Sequence, residues 1–265
     1  MNQLLILFIA IPLLSFFASL LWQNKREKAI GKIVRVAKVS NILIAVSIFA
    51  WWVSNGLEPI SYKMAPLYET NHFVFAIQLY YDEITAVFSI VGALLFFLVA
   101  TFSKYYMHRD EGYKRFFNTI LLFATAYNFI ILAGNFETLF IGWEIKGICS
   151  FILITFYRNR YLPVKNAFKA VSNYRISDVA LMLAMWMMHH LTHRNISFSE
   201  LGEAKDIAAA AGQTGTAIFI VCMIILPAAI KSAQFPFTTW LPSALDGPTP
   251  PPAPPPGPAP PPPGA

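Results

Sequence analysis

Several stretches of about 20 residues in this sequence carry almost no charge, which is the length needed to cross a lipid bilayer as a helix. A soluble globule would interrupt such stretches with charged residues at helical or strand spacing. The whole chain is 56% hydrophobic and only 13% charged, so it has too little polar surface for a soluble fold. The sequence therefore predicts an all-α, polytopic membrane protein.

Seven transmembrane helices are predicted. They cover approximately residues 3–22, 39–53, 84–102, 116–133, 139–157 and 167–189, and a seventh begins near residue 216. Gly134 and Asn135 make a tight turn, which predicts that the fourth and fifth helices pack as an antiparallel hairpin. Because proline removes a backbone donor, Pro227, Pro236 and Pro242 predict that the seventh helix is broken.

Lysine and arginine accumulate in alternate loops of this predicted topology. The positive-inside rule places residues 23–38, 103–115 and 158–166 in the cytoplasm, with residues 54–81 and 190–215 outside. The expected location is a cell inner membrane, which the chain crosses several times. These loops account for the formal charge of +6, so the lipid bilayer is the expected partner and no nucleic acid is needed to explain it.

Among the charged residues inside the predicted spans, four are the candidates for function. They are Glu144 in the fifth helix, Arg175 and Asp178 in the sixth, and Lys231 in the seventh. A charge at bilayer depth costs about 2.5 to 3.5 kcal/mol on insertion scales and usually marks a pathway or a paired site. Arg175 and Asp178 are three residues apart and share one helix face, so they can form an ion pair. That pair could be a structural clamp or could tune the charge of its neighbours.

Glu144 has no cation three or four residues further along its helix, so its partner is expected to come from another helix. Lys231 is the candidate for this buried Glu–Lys pair, although Glu144 could instead be a protonated, hydrogen-bonded core residue. The polar residues Ser232 and Gln234 follow Lys231 at the predicted helix break, where they could hold water beside the amine. Lys146 falls on roughly the opposite helix face from Glu144, and its role stays open.

No metal or cofactor site is predicted. The histidines and cysteines considered as metal ligands in or beside the spans are His189, His190, His193, Cys149 and Cys222. The histidines sit at a helix end without an acidic or thiol companion, which favours interfacial side chains over a zinc site. Both cysteines lie inside apolar runs and are expected to be inert packing residues.

Three ordered motifs resemble one known family. Residues 102–117 are similar to an S-x-x-Y-M…D…R-F-F pattern, and residues 139–150 (LFIGWEIKGICS) to an L-F-x-x-W-E-x-x-x-x-C-S helix. Residues 231–250 resemble a K-S-A-Q-x-P…T-W-L…G-P-T-P signature. Together they resemble the antiporter-like, proton-translocating subunit of respiratory complex I, chain 5 or L, which is related to the large subunit of multisubunit sodium/proton antiporters.

This resemblance implies that Glu144 and Lys231 form the buried pair of a proton channel, with Arg175 and Asp178 relaying charge toward a neighbouring subunit. Other membrane subunits of a respiratory or antiporter complex would be its partners, and protons its cargo. The chain has no flavin, iron–sulfur or nicotinamide motif, so it would belong to a proton-translocating NADH:quinone oxidoreductase without being the redox catalyst. The alternatives are a subunit of a cation/proton antiporter or of an inorganic-carbon uptake complex, and a nonfunctional fragment.

Three regions are expected along the chain. Residues 1–100 form N-terminal transmembrane helices, residues 101–250 an incomplete antiporter-like unit, and residues 251–265 a proline-rich tail. Members of the family continue through further helices, whereas polyproline cannot span a bilayer as a helix. The sequence therefore indicates a C-terminal truncation or a shifted reading frame, with a genuine proline-rich docking tail as the alternative.

Overall fold

Helices account for most of the residues that the structure describes. A computed structural model of the chain describes residues 1–22, 26–64, 66–69, 74–192, 195–201, 212–242 and 244; His193 and the proline-rich segment 251–265 lie outside these ranges. The α-helices in the described ranges are α1 (Asn2–Leu20), α2 (Glu27–Ser54), α3 (Glu83–Tyr106), α4 (Tyr113–Ile131), α5 (Phe136–Ile154), α6 (Tyr161–Thr192) and α7 (Thr214–Lys231). The predicted all-α fold with about seven transmembrane helices is confirmed.

Four of the helices, α1, α2, α3 and α7, are long and apolar enough to cross a membrane by length and composition. The other three interrupt their apolar sequence with polar or charged residues, which on α5 and α6 include Glu144, Arg175 and Asp178. Large apolar side chains are exposed on the bundle, such as Leu94 on α3 and Ile225 on α7. Exposed apolar surface of this kind is typical of a protein that faces lipid.

The second helix is longer than the sequence predicted, because it begins at Glu27 and not near Val39. Ile30 and Val34 recur at helical spacing in its first turns and are buried, so this segment packs an apolar stripe against its neighbours. From residue 27 onward, the basic residues of the predicted 23–38 loop therefore lie on a helix. The assignment of this segment as a loop was wrong.

Two short antiparallel strand pairs occupy the connection between α2 and α3, which was predicted from the sequence to be a loop. β1 (Ile60–Lys63) pairs with β4 (Gln78–Tyr81), and β2 (Tyr68–Glu69) pairs with β3 (Val74–Phe75). The end of the bundle that holds these strands and the α4–α5 turn is termed the hairpin end. The opposite end, with the α1–α2, α3–α4 and α5–α6 connections, is termed the basic end.

The turn between α4 and α5 is anchored to the strands at the hairpin end. The Gly134 amide donates to the Gln78 carbonyl (2.8 Å), and the Asn135 side chain donates to the Ala76 carbonyl (2.9 Å). Asn135 also accepts a 2.9 Å hydrogen bond from the Thr138 amide and so caps α5. These contacts fix the start of α5, and the predicted α4–α5 hairpin is confirmed.

Gly142 lets α4 and α5 approach each other closely. A Cβ atom at this position would lie 2.8 Å from the Ala126 carbonyl oxygen, 2.8 Å from Cγ1 of Ile130 and 2.9 Å from Cβ of Phe129. Small residues allow such close contact between helices in membrane proteins. The position therefore sets the spacing of the helix that carries Glu144.

The Gly142→Ala substitution is expected to force α4 and α5 apart and to destabilise the subunit by about 1 to 3 kcal/mol, as overpacking does elsewhere. Thermal unfolding of the purified subunit in detergent measures the effect. Gly215→Ala on α7 is a matched control, because a Cβ there would meet no atom within 4 Å. Equal melting temperatures for the two variants would contradict the prediction.

Asn128 on α4 connects three helices inside the bundle. Its side-chain amide donates to the Phe8 carbonyl on α1 (2.6 Å) and to the side-chain oxygen of Asn41 on α2 (3.0 Å). Nearer the basic end, the Ser19 hydroxyl on α1 donates to the Asn118 side-chain oxygen on α4 (2.5 Å). Polar side chains that bond across helices in this way hold transmembrane segments together.

The break in the last membrane segment lies directly after Lys231, the final residue of α7. The helix continues through Pro227, although this proline contributes no backbone donor. The chain then turns at Ala233, which has a positive φ of 52°. The Trp240 indole N–H packs back onto α7 and donates to the Ile230 carbonyl at 2.9 Å. The predicted break is confirmed, but Pro227 is not its position.

Candidate functional site

Arg175 on α6 joins two carboxylates. Its Nη2 atom lies 2.9 Å from Oε2 of Glu144 on α5 and 3.3 Å from Oδ2 of Asp178 on α6. The expected ion pair between Arg175 and Asp178 on one helix face is therefore formed, and it is extended to a second helix. We term these three residues the charge cluster.

The members of the charge cluster differ strongly in exposure. The Asp178 side chain is 6% exposed, that of Glu144 22% and that of Arg175 52%. Neither carboxylate oxygen of Asp178 has a hydrogen-bond partner among the described residues. Its charge is compensated by the ion pair with Arg175, in which Oδ2 lies 3.3 Å from the guanidinium. The cluster therefore runs from a buried carboxylate to a half-exposed guanidinium.

The amine of Lys231 lies at the C-terminus of α7, in contact with the middle of α5. Its Nζ atom donates to the Trp143 carbonyl at 2.9 Å and lies 4.0 Å from the centre of the Trp143 ring. The Tyr174 ring centre on α6 is 5.5 Å away. The last turn of a helix carries partial negative charge, which favours a cation there. The helix end, a carbonyl and two aromatic faces together hold the amine.

Gly147 provides the space that this arrangement needs. A Cβ at Gly147 would lie 3.8 Å from Nζ of Lys231 and 3.9 Å from Cδ2 of Tyr174, which is van der Waals contact, so atoms beyond a Cβ would have to compete with the amine for space. A carbonyl oxygen has two lone pairs. The Trp143 carbonyl can therefore accept from Lys231 while keeping its hydrogen bond within α5.

The direct ion pair expected between Glu144 and Lys231 is not formed in the structure. Among the described residues, Glu144 pairs with Arg175 on the neighbouring helix, and Lys231 is hydrogen-bonded to a backbone carbonyl. The planar guanidinium of arginine suits a carboxylate better than the compact ammonium of lysine does. The carboxylates of Asp178 and Glu144 nevertheless remain close enough to act electrostatically on Lys231. Arg175 thus bridges the two carboxylates, and Lys231 lies near them without a direct ion pair.

Lys146 points away from the charge cluster, as its position on the helix predicted. Its Nζ atom lies 5.8 Å from the centre of the Phe123 ring on α4. It still interacts electrostatically with Lys231. Two lysine amines thus lie on different sides of α5, and the structure places Lys231, and not Lys146, beside the two carboxylates.

Three contributors to the site were missed by sequence reasoning. They are Trp143, whose carbonyl and ring both contact Lys231; Tyr174; and Ser177, whose hydroxyl accepts a 3.2 Å hydrogen bond from the Trp143 indole. Trp143 directly precedes Glu144, and Ser177 directly precedes Asp178, so proximity to the buried charges was the available signal. A backbone acceptor leaves no trace in the sequence.

Two family profiles match the chain. One, described as "NADH:quinone oxidoreductase/Mrp antiporter, TM", matches residues 133–253, and the other, described as "NADH-Ubiquinone oxidoreductase (complex I), chain 5 N-terminus", matches residues 67–117. This chain belongs to the antiporter-like subunit family of complex I. The first match contains all three helices that build the site, α5, α6 and α7.

Curated relatives agree with this assignment. The chain is 35% identical over 187 residues to NAD(P)H-quinone oxidoreductase subunit 5, chloroplastic, from Mesostigma viride. It is 31% identical over 259 residues to NADH-quinone oxidoreductase subunit L from Rickettsia typhi. These alignments cover 68% and 94% of this chain but only 28% and 38% of the two relatives. The chain thus spans about a third of the length of these relatives.

Solved structures share the fold at lower sequence identity. The Mrp complex from Dietzia sp. DQ12-45-1b contains a chain that matches with a TM-score of 0.73 and 22% identity, over 93% of this chain and 25% of that one. The membrane-bound sulfane sulfur reductase, an archaeal respiratory membrane complex, matches with a TM-score of 0.72 and 22% identity, over 91% of this chain and 47% of that one. The helical membrane fold is therefore common to these proteins.

Proposed function

We propose that this antiporter-like membrane subunit moves protons across a bacterial-type inner membrane, and that quinone reduction by other subunits of its complex drives the movement. The observation that carries the proposal is the position of Lys231, at a helix break and beside a cluster of two carboxylates and one arginine. Ionisable groups at membrane depth commonly form proton relays. Lys231 is the proposed proton carrier.

Arg175 is the proposed switch of this relay. While it pairs with both carboxylates, their negative charge is compensated, so desolvation favours the neutral amine of Lys231 and release of its proton. If Arg175 moves away, the uncompensated charge of Glu144 and Asp178 favours the protonated amine and proton uptake. A displacement of one guanidinium would thus alternate the protonation of Lys231.

The exposure of the Arg175 side chain is a reason to expect that a neighbouring subunit packs against this part of α6. A guanidinium that is 52% exposed on a membrane helix needs polar partners, and a charge carried by an adjacent membrane subunit would attract it away from Glu144. Coupling between subunits would then be electrostatic. The chain itself is proposed to take no part in the redox step.

Exchange of a cation such as sodium for protons is the second candidate, as in a multisubunit antiporter. The family profile that matches residues 133–253 is described for NADH:quinone oxidoreductase and Mrp antiporter alike, which favours this candidate. The same charge cluster and Lys231 would serve both functions, because each needs an amine that alternates between charged and neutral. Proton movement that depends on NADH oxidation and not on sodium would select the first function.

The Glu144→Gln variant tests the proposal in the full-length subunit assembled in its complex. It keeps the size and hydrogen bonding of the side chain but removes one of the charges that favour protonated Lys231, so proton uptake into inverted vesicles is expected to fall about tenfold. Assembly should change little, because Arg175 keeps its pair with Asp178. NADH oxidation should be measured in parallel.

Glu58→Gln is the matched control. Glu58 is exposed at the hairpin end, so this substitution makes the same change of charge away from the charge cluster. It should pump at the parental rate. If Glu144→Gln also pumps at the parental rate, normalised to assembled complex, the charge cluster is packing and the proposed function fails.

A further inference from the structure

A cavity of about 320 Å³ lies between α5 and α6 at the hairpin end. Its lining includes Phe75, Glu137, Ile141, Met185 and His189. The charge cluster is not part of this lining, so the cavity is a separate feature. Most of its wall is apolar, but one carboxylate and one imidazole face it.

Glu137 is only half satisfied in this cavity. Its Oε1 atom accepts a 2.6 Å hydrogen bond from the Asn195 side-chain amide. Its Oε2 atom is buried and has no hydrogen-bond partner among the described residues. A carboxylate oxygen left without a partner away from bulk water is costly, unless it is protonated or meets a water molecule. The cavity has room for several waters beside it.

Asn195 connects Glu137 to two other elements. Its amide also donates to the Val74 carbonyl on β3 (2.8 Å), and its oxygen bonds Nδ1 of His189 on α6 (3.0 Å). The ammonium of Lys63 on β1 interacts electrostatically with Glu137. Glu137, which is partly buried, is thus one end of a polar chain that reaches the hairpin end of the bundle.

Glu137 and Glu144 lie on nearly the same face of α5. Seven residues turn a helix to within about 20° of the starting direction and advance it about 10 Å. The same spacing relates Asp178 to Met185 on α6, and His189 follows one turn further. The facing sides of the two helices therefore carry the charge cluster at one level and the Glu137–Asn195–His189 chain at the next.

An apolar layer separates the two levels. Ile141 on α5 and Met185 on α6 both line the cavity, and each lies between the polar levels in the sequence of its own helix. A layer of this kind conducts protons only when water enters it transiently, and it blocks them when dry. This is the arrangement of a gate next to an exchange site.

We propose that Glu137 is a proton-exchange site at the hairpin end, and that protons pass between it and the charge cluster through a transient water chain at Ile141 and Met185. The Glu137 carboxylate takes a proton from hydronium in the cavity, giving a carboxylic acid and water, and later returns it to a neighbouring water. This inference rests on the proposed function, because it supplies the route by which protons meet the cluster.

The hydrogen bond to Asn195 does not by itself account for a glutamate at position 137. Glutamine would accept the same hydrogen bond from Asn195 without placing an ionisable group in a buried position. The Oε2 atom, which has no partner among the described residues, takes no part in the hydrogen bond to Asn195. Glutamate adds two properties that glutamine lacks: a negative charge beside the N-terminus of α5 and Lys63, and the ability to take up and release a proton.

The test compares Glu137→Gln, Glu137→Asp and Glu200→Gln in the full-length subunit assembled in its complex. Glu137→Gln should lower proton uptake into inverted vesicles about tenfold at unchanged abundance, and Glu137→Asp should restore part of it. Glu200 caps a turn at the same end of the bundle but does not line the cavity, so Glu200→Gln should pump at the parental rate. Infrared difference spectra after a pH jump should show a carboxyl band that Glu137→Gln lacks.

Three outcomes would overturn the inference, and they are separable from one another. Parental pumping by Glu137→Gln, while Glu144→Gln is impaired, rejects the exchange site but leaves the proposed function intact. Parental pumping by both variants rejects both proposals. An equal loss of abundance and pumping in the Gln and Asp variants of Glu137, with an unchanged infrared spectrum, shows that the residue only supports the fold.

Discussion

The Arg175→Ala variant is expected to lose both assembled subunit and proton pumping. Without the guanidinium, Glu144 and Asp178 become two neighbouring carboxylates with no cation between them. Breaking a buried pair on one side costs roughly 3 to 5 kcal/mol. Because the Arg175 side chain is 52% exposed, we expect a cost at the low end, about 3 kcal/mol. Abundance in membranes and the melting temperature of the purified subunit measure it.

A double-mutant cycle separates the ion pair from other effects of Arg175→Ala. Adding Asp178→Asn removes the more deeply buried carboxylate, so the double variant should recover part of the lost stability while pumping stays low. Arg175→Lys should fall in between, since lysine restores the charge but cannot bind two carboxylates through a planar fork. Parental abundance of Arg175→Ala would show that the cluster does not stabilise the fold.

The Lys231→Met variant is expected to abolish pumping while leaving the subunit assembled. Methionine keeps an apolar side chain of similar length in the space beside Gly147, but it cannot carry a proton. The Trp143 carbonyl loses only one of its two hydrogen bonds, so the stability cost should be about 1 kcal/mol. Pumping normalised to assembled complex should drop about a hundredfold or more, further than in Glu144→Gln, because no other group replaces the amine.

Lys169→Met provides the matched control for this loss. Lys169 on α6 also donates to a backbone carbonyl, that of Thr239 beyond the break in α7, at 2.9 Å. The control therefore removes a similar lysine–carbonyl bond near the same break, but outside the charge cluster. Should Lys169→Met and Lys231→Met pump equally well, the amine of Lys231 would be a structural contact only.

The sequence was sufficient for the features that depend on local chemistry. Gly134 and Asn135 predicted the tight turn between α4 and α5, and charges inside apolar runs identified Glu144, Arg175, Asp178 and Lys231. The three-residue spacing of Arg175 and Asp178 was enough to predict their ion pair. Each of these predictions needed only the neighbours of a residue along the chain.

Features that depend on distant parts of the chain were predicted less well. The first turns of α2 looked like a basic loop, because Ile30 and Val34 are too few to mark a span, and only the surface of neighbouring helices explains their burial. The strand pairs between α2 and α3 are held in part by a backbone hydrogen bond from Gly134, in the α4–α5 turn, to Gln78 on β4. Which cation would reach Glu144 depended on how α5, α6 and α7 pack against one another, and residue spacing along the chain does not reveal that packing.

The hydrogen bond from Asn128 to the Phe8 carbonyl has a consequence for membrane insertion. Pro12 stands four residues after Phe8 within α1 and has no N–H to offer this carbonyl. The hairpin of α1 and α2 therefore enters the bilayer with an incomplete backbone, and Asn128 completes it only when α4 arrives. We therefore expect α1 and α2 to reach their final packing only after α4, whose Asn128 is 120 residues further along the chain than Phe8, has entered the membrane.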